Sequence, residues 1–486
     1  MRDRRFDLME LNIMSAAGET IDFEQASVSL RARLPKALQQ TLQSLGYTSF
    51  TPIQLAALPP MLDGADVRAQ AKTGSGKTAA FGLALLSRLA LDRIALQGLV
   101  LCPTRELADQ VAAELRRLGS AMPNLKISTI YGGVAIGPQQ ASLTKHAPHI
   151  IVGTPGRVLD HFEKGHLNFD SVQCMVLDEA DRLLDMGFAD SMTALIASMP
   201  KARQTLLLSA TFPPEVDLLS SQVQQGALHI AVDLAHAEEI IEQHFYDVPE
   251  SGKAAAVVQL LLSQQPESAL IFCNTKRDLH DLVEYLHSAG IPALALHGDL
   301  EQRDRTEVLV RFSNGSARVL VATDVAARGL DMKTLALVIS YELAFELQTH
   351  THRIGRTGRA GETGVALHLV AARELERAQK LNAQLEPLRL SAGSKTLAPA
   401  SMQTLVIDAG KTDKIRAGDV LGALTGVGAL RGECIGKIEL TPTRTYVAIA
   451  SAEIAGVLQR MRNATSTKPS AATAKIKGRN FRMRLL

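Results

Sequence analysis

DVRAQ (66–70), AKTGSGKT (71–78) and AAFGLALLSRL (79–89) follow one another without a break, and their reading decides the fold. A short strand-like run enters a glycine-rich loop and leaves it as an apolar helix. Glycines at such a loop let backbone N–H groups wrap an anion, and the N-terminus of the next helix adds positive potential. Strand, loop and helix in this order belong to doubly wound α/β domains, whose ligands sit at the carboxyl ends of parallel strands. Ala71, Thr73, Gly74, Ser75 and Gly76 would then cradle phosphates, with Ala71 standing where the generic loop has its first Gly. Lys77 would neutralise β- and γ-phosphates, and Thr78 would offer its hydroxyl to Mg²⁺.

Working outward, the same grammar continues. GLVLCPT (98–104), HIIVGT (149–154), CMVLDEA (174–180) and TLLLSAT (205–211) read as buried parallel strands carrying polar residues at their ends. ELADQVAAELRRL (106–118) has apolar residues at helical spacing. A second set follows: SALIFCNT (268–275), ALALHGD (293–299), ARVLVATD (317–324) and LALVISYE (335–342), with helical RDLHDLVEYLHSAG between the first two. The expectation is two doubly wound parallel-sheet domains, at 23–235 and 236–390, after an N-terminal extension at 1–22. SAGSKTLAPA (391–400) is rich in small residues and reads as a linker. Beyond it, at 401–486, MQTLVID, helix-like DKIRAGDVLGAL, ECIGKIEL, RTYVAIA, AEIAGVLQRM and NFRMRLL give the order βαββαβ. That order fits a small α+β domain of the RNA-recognition type.

Composition bounds the partners. The 486 residues are 46% hydrophobic and 21% charged, enough to bury several cores. The net +2 hides a split: from Ser401 onward there are 14 Lys/Arg against 6 Asp/Glu, leaving 38 against 44 in the rest. A basic end on a mildly acidic body points to a polyanion. Cysteines at 102, 174, 273 and 434 have neither disulfide-framework nor zinc-site spacing, which fits a reducing, cytoplasmic setting. No apolar run is long enough to span a bilayer, so no membrane partner is expected. MRDRRFDLMELN lacks a signal peptide's apolar core, and Met9 or Met14 is an alternative start to Met1.

Further residues carry chemistry by type and place. Asp178 ends a strand and is suited to hold Mg²⁺ through water, and Glu179 to act as general base on an attacking water. Gln54, in GYTSFTPIQ (46–54), has the amide that reads the N6/N7 edge of adenine, and Tyr47 can stack on the ring. HRIGRTGR (352–359) places Arg356 and Arg359 where arginine fingers would meet a γ-phosphate.

GYTSFTPIQ, AKTGSGKT, PTRELADQ, TPGR, DEAD, SAT, TDVAARGLD and HRIGRTGR occur in that order over residues 23–370. Together they resemble the motifs of the DEAD-box RNA helicases. The resemblance implies two RecA-like domains closing on ATP and RNA, with RNA held by its sugar-phosphate backbone. The matching positions are Pro103, Thr104, Arg105, Gly132, Gly133, Thr154, Pro155, Gly156 and Arg157, then Asn274, Thr275, Gln302, Arg305, Thr323 and Arg328. Hydroxyls, guanidinium groups and backbone amides suit phosphate and 2′-OH and read no sequence. By the same resemblance Asp181, Ser209, Thr211 and His352 couple hydrolysis to strand separation, and Gly329 and Asp331 belong to the nucleotide site, Asp331 at the ribose. Phe23 is the nearest counterpart of the isolated Phe before the glutamine motif, at a longer spacing than the family's.

Residues 401–486 resemble the RNA-binding tail of the bacterial DbpA subgroup, in AGDVLGALTG (417–426), IGKIEL (435–440) and KIKGRNFRMRLL (475–486). This implies anchoring to a 23S rRNA hairpin near the peptidyl-transferase centre and a role in large-subunit assembly; nothing in the sequence points beyond a monomer. From the residues alone, Lys411, Lys414, Arg416, Lys475, Lys477 and Arg479 are candidate phosphate contacts. Tyr446 is the one aromatic on the strands that carry stacking residues in RNA-recognition sheets, so a structured hairpin met through loops fits better than single-strand stacking. Two other functions share these motifs: an ATP-gated RNA clamp with little unwinding, which the intact Glu179, Arg356 and Arg359 disfavour, and a DNA helicase, which Gln54, Tyr47 and the DEAD and SAT wording disfavour.

Overall fold

A computed structural model describes residues 23–71, 74–232, 241–327, 335–358, 364–381, 383–388, 396–426, 428–465 and 473–486. The chain divides into two compact units that part near residue 238.

The first unit holds a sheet of seven parallel strands: β1 (Val67–Gln70), β2 (Gly98–Leu101), β3 (Ile127–Ile130), β4 (Ile150–Gly153), β5 (Cys174–Asp178), β6 (Gln204–Ser209) and β7 (Leu228–Ala231). Their order is β3-β4-β2-β5-β6-β1-β7. Every residue of β2, β4, β5 and β6 is buried, as expected of strands covered on both faces. Val100, Val152, Val176 and Leu206 face one core, and Leu99, Ile151, Met175 and Leu207 the other. Helix Arg105–Leu118 lays Ala108, Val111, Ala112, Leu115 and Leu118 on the first core. Register brings Gln70 level with Ser209, and Asp178 level with Leu208. Three strand ends therefore deliver their loops to one edge.

The second unit repeats the plan with β8 (Ile241–Asp247), β9 (Ala269–Cys273), β10 (Ala293–Leu296), β11 (Val319–Thr323), β12 (Leu337–Ser340), β13 (Gly364–Val370) and β14 (Leu385–Pro387). The order is β10-β11-β9-β12-β13-β8-β14, again parallel throughout. Both units are thus doubly wound parallel-sheet folds.

The same unit ends in an antiparallel sheet of β15 (Met402–Ile407), β16 (Ile435–Leu440), β17 (Thr445–Ala450), β18 (Thr473–Ile476) and β19 (Arg479–Leu485), ordered β16-β17-β15-β19-β18. Leu405, Ile407, Val447 and Ile449 pack under helices Ala417–Gly426 and Ile454–Thr465. The other face is covered too: Val406 and Tyr446 pack with Val310 of helix Gln302–Ser313, joined by Leu486. Polar contacts surround that dock. Glu307 Oε1 accepts from Arg444 at 2.8 Å and Arg484 at 3.0 Å. Asn314 donates to Thr404 Oγ1 at 2.9 Å, and Thr404 donates to Ser316 at 2.8 Å.

Two expectations need correction. The helix expected across DKIRAGDVLGAL begins only at Ala417, because Lys414 takes a left-handed φ of 60° that no helix interior accepts. The βαββαβ order gains a strand, β18, paired with β19 through Lys477–Gly478. Both turn residues have positive φ, 49° and 78°, the conformation of a tight hairpin turn.

No described helix is long and apolar enough to cross a membrane. The four cysteines are buried and unbridged.

Candidate nucleotide and nucleic-acid sites

Strand order sorts the motifs of the first unit. The loops after β1, β5 and β6, three adjacent strands, carry the phosphate loop, DEAD and SAT. The loops after β3, β4 and β2, the other three neighbours, carry Gly132–Gly133, TPGR and PTRE.

At the phosphate loop, Gly74 and Gly76 have φ of 86° and 96°, a region that disfavours side chains. A Cβ on Gly76 would lie 2.5 Å from Gln54 Nε2. Lys77 opens helix Lys77–Ser87, is 8% exposed, and donates to the Ala71 carbonyl. The Ala71 N–H donates to Ser209 O at 3.2 Å, tying loop to SAT strand. Ser75 and Thr78 are half-buried beside them, and Thr73 lies outside the described residues. Gln54 is buried and bonded within the protein: Oε1 accepts from Thr51 N at 2.9 Å, and Nε2 donates to Gly76 O at 3.1 Å. Tyr47 packs against the core edge, its hydroxyl accepting from Arg117 at 3.2 Å.

Asp178 is 3% exposed. Burial first, then the neighbouring Glu179, pushes its carboxyl up to about 7, with Lys77 pulling the other way. Burial likewise holds the Lys77 ammonium below its usual range, against the pull of Asp178, Glu179 and Asp181. A buried carboxyl and a buried ammonium, each displaced toward its neutral form, suit a site that takes up a cation and a polyanion together. Glu179 adopts a left-handed φ of 52°, and its Oε2 accepts from Arg182 Nη1 at 3.0 Å. Asp181 Oδ2 accepts from Thr211 Oγ1 at 2.8 Å and Thr211 N at 3.2 Å, while Asp181 N donates to Ser209 Oγ at 3.3 Å.

In the other half of the sheet, Thr104 caps helix Arg105–Leu118 by accepting from Leu107 N at 3.2 Å, next to buried Pro103. Arg105 lies flat against Gly133, where a Cβ would stand 1.9 Å from its Nη1. Thr154 and Pro155 open helix Pro155–Glu163, Gly156 is exposed, and Arg157 donates to Val134 O at 3.0 Å.

The second unit sorts its motifs the same way. Gln302 and Arg305 follow β10, Thr323 ends β11, and Asn274 and Thr275 follow β9, three neighbouring strands. Arg305 donates to Ala326 O at 2.8 Å, and Thr275 caps helix Lys276–Ser288 through Asp278 N at 3.1 Å. His352 lies in helix Leu347–Ile354 and Arg356 just past it, buried. Arg328, Gly329, Asp331 and Arg359 lie outside the described residues.

Sequence reasoning passed over the residue that organises this site. Arg353 is 1% exposed and donates to Asn274 Oδ1 at 2.6 Å, Asp324 Oδ1 at 2.7 Å, Asp324 Oδ2 at 2.6 Å and the Glu342 carbonyl. Its place inside HRIGRTGR was the available signal. Arg182 and Glu307 were also missed: Arg182 directly follows DEAD and holds its Glu179, and Glu307 meets Arg444 and Arg484 far along the chain.

In the antiparallel domain, the loop with Lys411, Lys414 and Arg416 and the hairpin with Lys475, Lys477 and Arg479 come together, all six exposed. Lys477 pairs with Asp419 at 2.9 Å and donates to Lys414 O at 2.9 Å, and Arg479 pairs with Asp413 at 3.1 Å. Tyr446, 2% exposed under the dock, is not available for stacking.

Residues 51–219 match the DEAD/DEAH box helicase family, 252–361 the helicase conserved C-terminal domain, and 404–485 the DbpA RNA binding domain. The chain is 51% identical to the ATP-dependent RNA helicase DbpA of Escherichia coli, over 93% of this chain and 98% of that one. It is 37% identical to DbpA of Bacillus subtilis, over 88% and 94%. Among solved structures, S. cerevisiae Dbp5 bound to RNA and ADP BeF3 superposes with a TM-score of 0.64 at 29% identity, covering 73% of this chain and 94% of that one. Mss116p bound to ssRNA and AMP-PNP gives 0.66 at 29%, covering 74% and 78%.

Proposed function

This chain belongs to the DEAD-box ATP-dependent RNA helicases that carry a DbpA RNA-binding domain, and from that premise we propose that it opens short RNA duplexes beside a 23S rRNA hairpin near the peptidyl-transferase centre during large-subunit assembly. One observation carries the reading: two separate segments that bear six exposed basic residues meet in the domain that matches the DbpA RNA binding domain, Lys477 reaching Lys414 and Asp419 and Arg479 reaching Asp413. The protein works as a cytoplasmic monomer, with helicase domains at 23–235 and 236–390 and an RNA anchor at 401–486.

In this reading Lys77 and the amides of Gly74–Gly76 hold the ATP phosphates, and Gln54 exchanges its Gly76 and Thr51 contacts for the adenine edge. Thr78 and Asp178 would hold Mg²⁺, which neutralises charge developing on the phosphates. Glu179, held by Arg182, takes the proton of the attacking water. Arg356 and Arg359 serve the γ-phosphate, and Gly329 and Asp331 the rest of the nucleotide. The residues at β2–β4 and β9–β11 grip one RNA strand by its backbone, and specificity for RNA comes from 2′-OH contacts. The Asp181–Ser209–Thr211 cluster and His352 link hydrolysis to strand separation.

ATPase stimulation by poly(U), total rRNA and a 23S fragment spanning the peptidyl-transferase region tests the target. It is measured for the full chain and for a triple Lys411→Glu, Lys414→Glu, Lys475→Glu variant. Selective stimulation by the 23S fragment, lost in the variant, is the expected result. Equal stimulation by every RNA in both proteins would leave the family assignment standing and remove the 23S target.

A further inference from the structure

Arg157 is aimed by a relay of side chains that lie outside the motifs quoted from the sequence. Its Nη1 donates to Gln139 Oε1 at 3.2 Å as well as to Val134 O. Gln139 lies in helix Ile136–Lys145, just after the Gly132–Gly133 loop, and its Nε2 donates back to Tyr131 O at 3.0 Å. Gln139 Oε1 also meets His161 Nε2 at 3.1 Å. A guanidinium only donates and a carbonyl only accepts, so the amide has one orientation: oxygen toward Arg157 and His161, nitrogen toward Tyr131.

That orientation fixes two tautomers. An amide oxygen accepts only, so His161 carries its proton on Nε2, and its Nδ1 is a lone pair. His161 Nδ1 faces His166 Nδ1 at 3.1 Å, so His166 must hold the proton between them. His161 is fully buried, and burial, followed by His166 and Arg157, keeps it below the usual imidazole range, which suits the neutral ring the relay needs. The relay ties the loop after β3 to the helix after β4, the two segments that carry Gly132, Gly133 and Arg157.

We propose that Gln139 is a positioning residue for RNA binding, held by the His161–His166 pair at fixed tautomers so that Arg157 meets the RNA backbone already aimed. The proposal rests on reading Arg157 as an RNA contact. An arginine ordered before binding gives up less rotamer freedom on contact, an advantage of roughly three- to tenfold in RNA affinity.

RNA-stimulated ATPase of the full chain separates the roles. Gln139→Ala is expected to raise the KM for RNA about three- to tenfold, with the maximal rate within about twofold and the melting temperature close to the parent's. His161→Ala shifts KM the same way. His161→Gln, which keeps a donor at the Nε2 position, restores it. In an Arg157→Ala background, Gln139→Ala adds nothing further. A KM unchanged by Gln139→Ala, or raised equally in both backgrounds, overturns the proposal. An Arg157→Ala protein with the parent's KM overturns instead the RNA-contact reading of Arg157.

Discussion

Asp181 and Thr211 are joined twice through one oxygen: Asp181 Oδ2 accepts from the Thr211 hydroxyl at 2.8 Å and from its backbone N–H at 3.2 Å. With Asp181 N bonded to Ser209 Oγ, the DEAD and SAT turns form one piece. Thr211→Val keeps the shape and removes the hydroxyl. A hydrogen bond to a charged group contributes about 1.5–3 kcal/mol, so a loss of roughly tenfold or more in duplex release is expected, with RNA-stimulated ATP turnover within about threefold of the parent. Strand-release and phosphate-release assays run side by side check this.

The raised carboxyl of Asp178 predicts a pH effect with a definite sign. Its folded value of about 7 lies above the unfolded value of 3.8, so the empty folded protein binds the extra proton. Its contribution to stability is therefore full below the unfolded value and is lost as pH rises through 7. Asp178→Asn should raise the melting temperature of the nucleotide-free protein at pH 8 while abolishing ATP turnover. Binding of Mg²⁺ and ATP, which needs the carboxylate, should release about one proton at pH 6 and few at pH 8. Calorimetry in buffers of different ionisation enthalpy measures that release.

Arg353 holds Asn274, Asp324 and the Glu342 backbone with one planar group. Lysine cannot reproduce that fork. Removing one partner of a buried ion pair costs about 3–5 kcal/mol, so Arg353→Lys and Arg353→Ala should both lower thermal stability and abolish RNA stimulation. Recovery of stimulation in the lysine variant would show that charge alone suffices.

Glu307 receives Arg444 and Arg484 from the antiparallel sheet and Arg303 from its own helix, at 2.8, 3.0 and 3.6 Å. Glu307→Lys reverses the sign at the centre of this cluster and should undock the C-terminal domain. Energy transfer between dyes on helix Gln302–Ser313 and on the C-terminal domain should fall and broaden, and duplex unwinding beside the hairpin proposed as anchor should drop about tenfold. Affinity for the proposed hairpin should stay within about threefold, because Glu307 pairs with Arg303, Arg444 and Arg484 rather than with the exposed lysines and arginines of the proposed anchor.

The legible parts of this fold were those where local chemistry and tertiary position agree. GLVL, IIVG and CMVLD announced themselves because strands covered on both faces must be continuously apolar. ISTI of β3 and LHIA of β7 lie at sheet edges, only partly buried, and carry no such run. β18 was missed although Lys477–Gly478 offers a turn signal, because its four residues, TAKI, are too short to show a pattern. The same division holds for the sites. Lys77, Asp178 and Glu179 stand out in the sequence as candidates because phosphate and metal chemistry dictates residue type and spacing. Gln139 and His161 do not, because their contacts join residues roughly twenty positions apart, and Arg353 offers only its place inside HRIGRTGR, its partners Asn274 and Asp324 being far off in sequence.

The five-stranded sheet is roofed on both sides, by its own two helices and by helix Gln302–Ser313. A fragment cut at the linker would lose one roof. Val406, Tyr446 and Leu486 would meet water, and Arg444 and Arg484 would lose the carboxylate they share. Such a fragment would present a second, artificial cationic face with an aromatic at its centre, the composition that attracts single-stranded nucleic acid without regard to sequence. Titrations with the excised piece would then report tighter and less discriminating binding than the intact polypeptide has, and the excess would vanish first as salt is added.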